Sequence, residues 1–156
     1  MLKEPSLKLE SPEFLSGTPI PSRYTCDGKN VNPPLEISNV APGMVSFALI
    51  MDDPDAPGGI WTHWVKWNIP PETRVIKEGE EPKGVSGKGS SESSKYDGPC
   101  PPRGHPHRYV FKLYALDIIL ALPEGGSRNE LEEALAGHVL QETETCRALR
   151  TLIAVG

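Results

Sequence analysis

The sequence predicts a mostly β protein. Three observations carry that expectation: 17 prolines and 15 glycines among 156 residues, three apolar runs rich in β-branched and aromatic side chains, and a helix signature in only one stretch. Proline fixes φ and removes a backbone donor, so this density interrupts helices and favours strands joined by stiff turns. The length fits one domain over residues 1–156, large enough to bury a core without staples. Hydrophobic residues at 37% and charged residues at 24% are a globular balance.

The elements follow in chain order. Residues 11–34 (SPEFLSGTPIPSRYTCDGKNVNPP) are turn-rich and read as extended edge segments and loops. Val45 to Met51 is an unbroken apolar run, the mark of a buried strand, and DDPDAPGG stops it. Trp61 to Ile69 resumes as a strand. Alternation puts Trp61, His63, Val65, Trp67 and Ile69 on one face and Trp64, Lys66 and Asn68 on the other, with Trp64 and Trp67 as packing residues. Pro70 to Gly98 is long, polar and Ser/Gly-rich, which predicts a mobile loop of the lid or binding kind.

Arg108 to Leu116 is the strongest strand signal. His107, Tyr109, Phe111 and Leu113 share one face, while Arg108 points away from it and is expected to pair with a carboxylate. Ser127 and Glu130 form a capping-box pattern ahead of Leu131, Ala134, Leu135 and His138 at helical spacing, with His138 near the helix C-terminus. The tail TCRALRTLIAVG fits either a short helix or a last strand.

Charge excludes some functions. A net charge of −5 lacks the positive surface that displaces counterions from nucleic acid or adsorbs to an anionic membrane, so neither partner is expected. No apolar run approaches a spanning segment or a signal peptide. Three cysteines, Cys26, Cys100 and Cys146, cannot all pair with one another; reduced thiols in a cytoplasmic protein are the simple expectation, with Cys26 small and buried.

Candidate chemistry gathers at strand ends. Asp52, Asp53 and Asp55 follow one strand, His63 opens the next, and His105 and His107 open a third. Polar groups at strand mouths suit a pocket at one end of a sheet, and imidazoles with turn N–H groups suit a small anion. Pro99, Pro101 and Pro102 stiffen the backbone entering His105 and His107, which preorganises a pocket wall.

The stretches DDPDAPGGIWTHWVKWNIP and YDGPCPPRGHPHRYVFKLYAL, with YTCDGKNVNPPL at residues 24–35, resemble the phosphatidylethanolamine-binding protein family. The resemblance is to its bacterial and archaeal Raf-kinase-inhibitor-like branch and runs from about residue 11 to about residue 140. It implies two antiparallel sheets with a few short peripheral helices, and a pocket for phosphate, phosphorylated head groups or similar anions. Carried over position by position, the implied ligand-binding residues are Asp53, Asp55, Trp61, His63, Pro101, Pro102, His107 and Tyr109. It also implies relatives that bind kinases or inhibit serine proteases through an exposed loop, and a possible homodimer. Two departures stand out: no tyrosine-arginine pair is recognisable near the C-terminus, and GKGSSESSKYDG leaves Tyr96 as the one candidate ring for the pocket rim.

Asp53 and Asp55 beside an anion are reconciled if they orient the histidines or meet an ammonium on a zwitterionic ligand, with anion affinity falling as pH rises. Rival readings are weaker. A Cys100 nucleophile with His105 or His107 as base sits in a proline turn nearly devoid of oxyanion donors. No glycine-rich phosphate loop or G-x-S-x-G elbow occurs, and H-x-H without partner spacing is a poor metal signal. A non-enzymatic binding protein without cofactor or metal is therefore expected.

Overall fold

The computed structural model describes residues 6–100 and 107–150, with the backbone alone for 145–150. Two sheets are present. The strands in chain order are β1 (Lys8–Glu10), β2 (Thr18–Pro19), β3 (Leu35–Ser38), β4 (Ser46–Asp53), β5 (Trp61–Ile69), β6 (Val75–Ile76), β7 (Val85–Ser86), β8 (His107–Leu116) and β9 (Val139–Arg150); the helix α1 (Arg128–Leu135) precedes β9. One sheet runs β1-β3-β6 and the other β2-β9-β8-β4-β5-β7. Pairing is antiparallel, save that two-residue β2 lies parallel beside β9. Mostly β with peripheral helix is thus the observed class, and the ambiguous tail is a strand as far as Arg150.

Central β4 is buried at all eight positions, the consequence of having neighbours on both edges and apolar layers on both faces. Phe47, Leu49 and Met51 face one core with Trp64, Tyr109 and Phe111; Ala48 and Ile50 face the other with Val65, Trp67 and the helix residues Leu131 and Leu135. The two tryptophans pack in different layers, as expected. Strand β4 runs two residues further than the sequence suggests, so Asp52 and Asp53 end it on opposite faces.

Simple alternation in β5 is corrected. Met51 pairs with Trp64 but Asp52 pairs with Thr62, an extra residue at His63. A second irregularity lies between Phe47 and Leu49, near Asn68 at φ 54°. These bulges move Trp64 and Ile69 into the core layer that the pocket end shares, leaving Val65 and Trp67 in the other.

Asp52 anchors the far side. Its carboxylate, 2% exposed, accepts from Arg128 Nε (3.0 Å) and Nη2 (2.7 Å) and from Thr62 Oγ1 (2.9 Å), with Lys112 Nζ at 3.7 Å. This ties α1 to the sheet. The helix starts as the sequence implies: Ser127 Oγ accepts from the Glu130 N–H, and the Glu130 carboxylate accepts from the Ser127 N–H. Ser127→Ala is expected to lower stability by about 1 kcal/mol in urea unfolding, the usual loss for a removed N-cap. Past the helix, the His138 ring meets the Asp117 carboxylate (2.9 Å).

Two further expectations are corrected. Residues 70–98 are not a free loop: β6 and β7 lie within it and pair with β3 and β5, the Ser90 N–H donates to the Thr62 carbonyl (2.8 Å), and the Asp97 N–H donates to the His63 carbonyl (3.2 Å). Backbone ladders explain what Ser/Gly composition hid. Nor are the cysteines all reduced. Cys26 and Cys100 form a disulfide, Cα atoms 5.3 Å apart, and both residues are exposed. The Cys26 N–H donates to the Pro99 carbonyl (3.1 Å), and that loop contact brings together residues 74 apart in sequence. No helix among the described residues is long and apolar enough to cross a membrane.

Candidate functional site

At the end of the large sheet, the starts of β5 and β8 and the finish of β4 surround a cavity of about 390 Å³. Asp53, Trp61, His63, His107 and Tyr109 line it, joined by Ala56, Pro57, Asp97, Gly98 and Cys100. Five of the residues carried over from sequence are thus brought together. Pro101 and Pro102 fall outside the described residues, as does His105.

Asp53 is the pivot. Its Oδ1 accepts the Asp55 N–H (2.8 Å), closing the turn in DDPDAPGG, and its Oδ2 accepts from His107 Nδ1 (2.5 Å). Both side chains are buried, Asp53 at 4% and His107 at 5% exposure. Antiparallel β4 and β8 allow the pair: Asp52 lies opposite Val110, so Asp53 comes opposite Tyr109 and reaches diagonally to His107, which shares Tyr109's face of the strand.

Asp55 does not line the cavity. Its carboxylate is gripped by Arg108, whose backbone N–H (2.8 Å), Nε (2.9 Å) and Nη2 (2.9 Å) all donate to it. That hydrogen-bonded guanidinium holds the Asp55 carboxyl below its ordinary range. Arg108 therefore finds the carboxylate its outward position foretold.

His63 reaches the cavity because of the β5 bulge. Its Nδ1 lies 2.7 Å from the Asp97 carbonyl oxygen; a carbonyl only accepts, so Nδ1 carries the proton and Nε2 of the neutral ring is an acceptor. Nε2 is buried and has no hydrogen-bond partner among the described residues. Burial is the main cause holding the His63 pKa below the ordinary imidazole value, against smaller opposing effects from its bond to Asp97 and from the Asp53, Asp97 and Asp52 charges. The ring meets Tyr109 edge-on with centroids 5.5 Å apart, and Tyr109 in turn lies 6.4 Å from the His107 ring. Trp61, 42% exposed, forms the rim beside exposed Ile60.

Sequence reasoning missed Ala56, Pro57, Asp97 and Gly98, and weighed Cys100 as a nucleophile rather than as part of the wall. The Asp-Gly pair ahead of Pro99 was the available signal, since such pairs mark turns where the backbone can enter a site. Tyr96 is corrected from rim to core: it is 7% exposed, packs edge-on against Trp64 at 5.3 Å, and donates its hydroxyl to the Tyr24 carbonyl (2.7 Å). Cys100, bonded to Cys26, holds no thiol for a nucleophilic role in this state. Among the described lining residues there is no lysine or arginine, and the side chains there that can carry positive charge are the imidazoles of His63 and His107.

The chain is similar to known proteins throughout. A family model described as "Phosphatidylethanolamine-binding protein" matches residues 10–147. A UPF0098 protein of Pyrococcus horikoshii is 48% identical over 147 residues, covering 89% of this chain and 74% of its own. A UPF0098 protein of Methanothermobacter thermautotrophicus is also 48% identical, over 144 residues, covering 88% and 95%. Among solved structures, a phosphatidylethanolamine-binding protein homolog from Chlamydia trachomatis superposes with TM-score 0.90 at 35% identity, covering 95% of this chain and 99% of that one. E. coli YbcL, described as a member of the mammalian family, gives 0.87 at 27%, covering 96% and 100%.

Proposed function

The chain belongs to the phosphatidylethanolamine-binding protein family, and on that premise we propose that it is a non-enzymatic binding protein whose cavity takes a small phosphate or phosphorylated head group. One observation carries this reading. Two imidazoles from separate strands converge on one cavity, each fixed at Nδ1 by an oxygen, Asp53 for His107 and the Asp97 carbonyl for His63. Fixing Nδ1 as a donor fixes the tautomer and makes Nε2 the remaining hydrogen-bonding atom of each ring.

In the neutral rings Nε2 accepts; a second proton turns it into a charged donor, the form that suits an anionic oxygen. Asp53 acts as a positioning group, and Asp55 holds the turn through Arg108. The acidic residues Asp53 and Asp97 in the lining suit a ligand that carries an ammonium group, which favours a zwitterionic head group over a bare anion. Trp61 and Pro57 at the mouth would cover its apolar portion.

The pH dependence has a definite sign. Because burial holds the His63 pKa down, its Nε2 becomes a donor only in acid, so anion affinity rises as pH falls and continues to rise below the ordinary imidazole range of about 6.5. Calorimetric titration with inorganic phosphate, and with sulfate as an anion whose own charge is constant across the range, checks this. Sulfate should bind more tightly in acid, and His107→Ala should weaken phosphate binding by about tenfold or more, the scale of one lost charge-assisted hydrogen bond. Equal affinities across pH, or an indifferent His107→Ala, would count against the reading.

A further inference from the structure

The cavity wall facing the histidine strands is the segment 97–100, and its fixings differ in kind. The Gly98 N–H donates to Asn30 Oδ1 (2.8 Å), Pro99 accepts from the Cys26 N–H (3.1 Å), and the Asp97 carbonyl holds His63 Nδ1 (2.7 Å). The covalent tie is the Cys26–Cys100 bond. Cys100 lines the cavity, both cysteines are exposed, and neither belongs to the apolar clusters. The long strands β4, β5 and β8 are joined by their own ladders without it.

We propose that this disulfide is a reducible latch on the cavity wall, opened in the folded protein by a dithiol reductant, so that ligand affinity depends on redox state. The proposal rests on the cavity being the ligand site. A thiolate of the reductant attacks the sulfur of Cys26 or Cys100; the S–S bond breaks, and the other cysteine leaves as a thiolate that takes up a proton. The second thiol of the reductant displaces the first cysteine from the mixed disulfide. Two electrons and two protons pass to the protein, and the dithiol becomes a disulfide. Exchange of this kind needs an accessible sulfur, and residue exposure at both ends meets that need.

Opening the bond removes the covalent constraint between residues 74 apart, while the Gly98–Asn30 and Cys26–Pro99 hydrogen bonds of segment 97–100 remain. The Asp97 carbonyl then holds the His63 ring less firmly. Preorganisation is lost, and affinity with it.

Hydrogen exchange on the full chain, oxidised and after dithiothreitol, with Cys26→Ser as a second route to the open state, tests the latch. Exchange at the Cys26, Asp97 and Gly98 amides should rise about tenfold or more while β4 and β8 stay protected, the pattern of local opening. The Kd for inorganic phosphate should rise by about tenfold in both open forms, through lost preorganisation. Unchanged exchange overturns the proposal, as does loss of protection across β4 and β8, which would make the bond a staple of the whole fold. Equal phosphate affinity in the two states overturns the gating. Absence of phosphate binding in both states counts against the ligand reading alone, and the exchange result still decides the latch.

Discussion

Asp52→Ala is expected to lower the free energy of unfolding by about 3–4 kcal/mol, the range for breaking one partner out of a buried ion pair. The carboxylate is 2% exposed and takes both Arg128 donors and the Thr62 hydroxyl. Its removal strands a guanidinium whose remaining close carboxylate is Glu132 (2.8 Å), half in solvent. Urea unfolding measures the loss. Pairing it with Arg128→Met should recover part of it, because replacing both members by apolar groups removes the uncompensated charge. A loss below about 1 kcal/mol, the value of a surface pair, would mean that the cluster does not hold α1 to the sheet.

The second large effect is expected at Gly98→Ala. A Cβ there would run into the Tyr24 carbonyl and the Asn30 side chain, and the carbonyl cannot step aside as a flexible chain end would. The wall must shift instead. Overpacking of this kind costs about 1–3 kcal/mol, and the shift drags the adjoining Asp97 carbonyl away from His63. Phosphate affinity should therefore fall by about tenfold, since a 1 Å misplacement of a site group is felt strongly. Thermal melts with calorimetry report both quantities. A variant that melts earlier yet binds phosphate with wild-type affinity would show that the wall's position is immaterial to the site.

The large sheet was legible because β4 follows an unbroken apolar run and β5 and β8 are rich in aromatic and β-branched residues, and their bounds fall within two residues of the pattern. Helix α1 was legible from its capping box. Residues 70–98 were not, because short strands held by backbone ladders leave no side-chain period to read. The candidate site's strand-borne lining, Asp53, Trp61, His63, His107 and Tyr109, could be picked out because the resemblance motifs sit on regular structure. Its loop-borne members, Asp97, Gly98 and Cys100, contribute carbonyls, space and a cross-link rather than a recognisable motif. The Cys26–Cys100 bond was hidden for a simpler reason: cysteine count alone says nothing of which loops meet.

The extra residue in β5 bears on any attempt to move this cup onto another scaffold. Met51 faces Trp64 while Asp52 faces Thr62, so His63 owes its aim to a slipped count. Copying the three side chains onto a regular hairpin would send the imidazole into the wrong layer. A successful graft has to transplant the miscount itself.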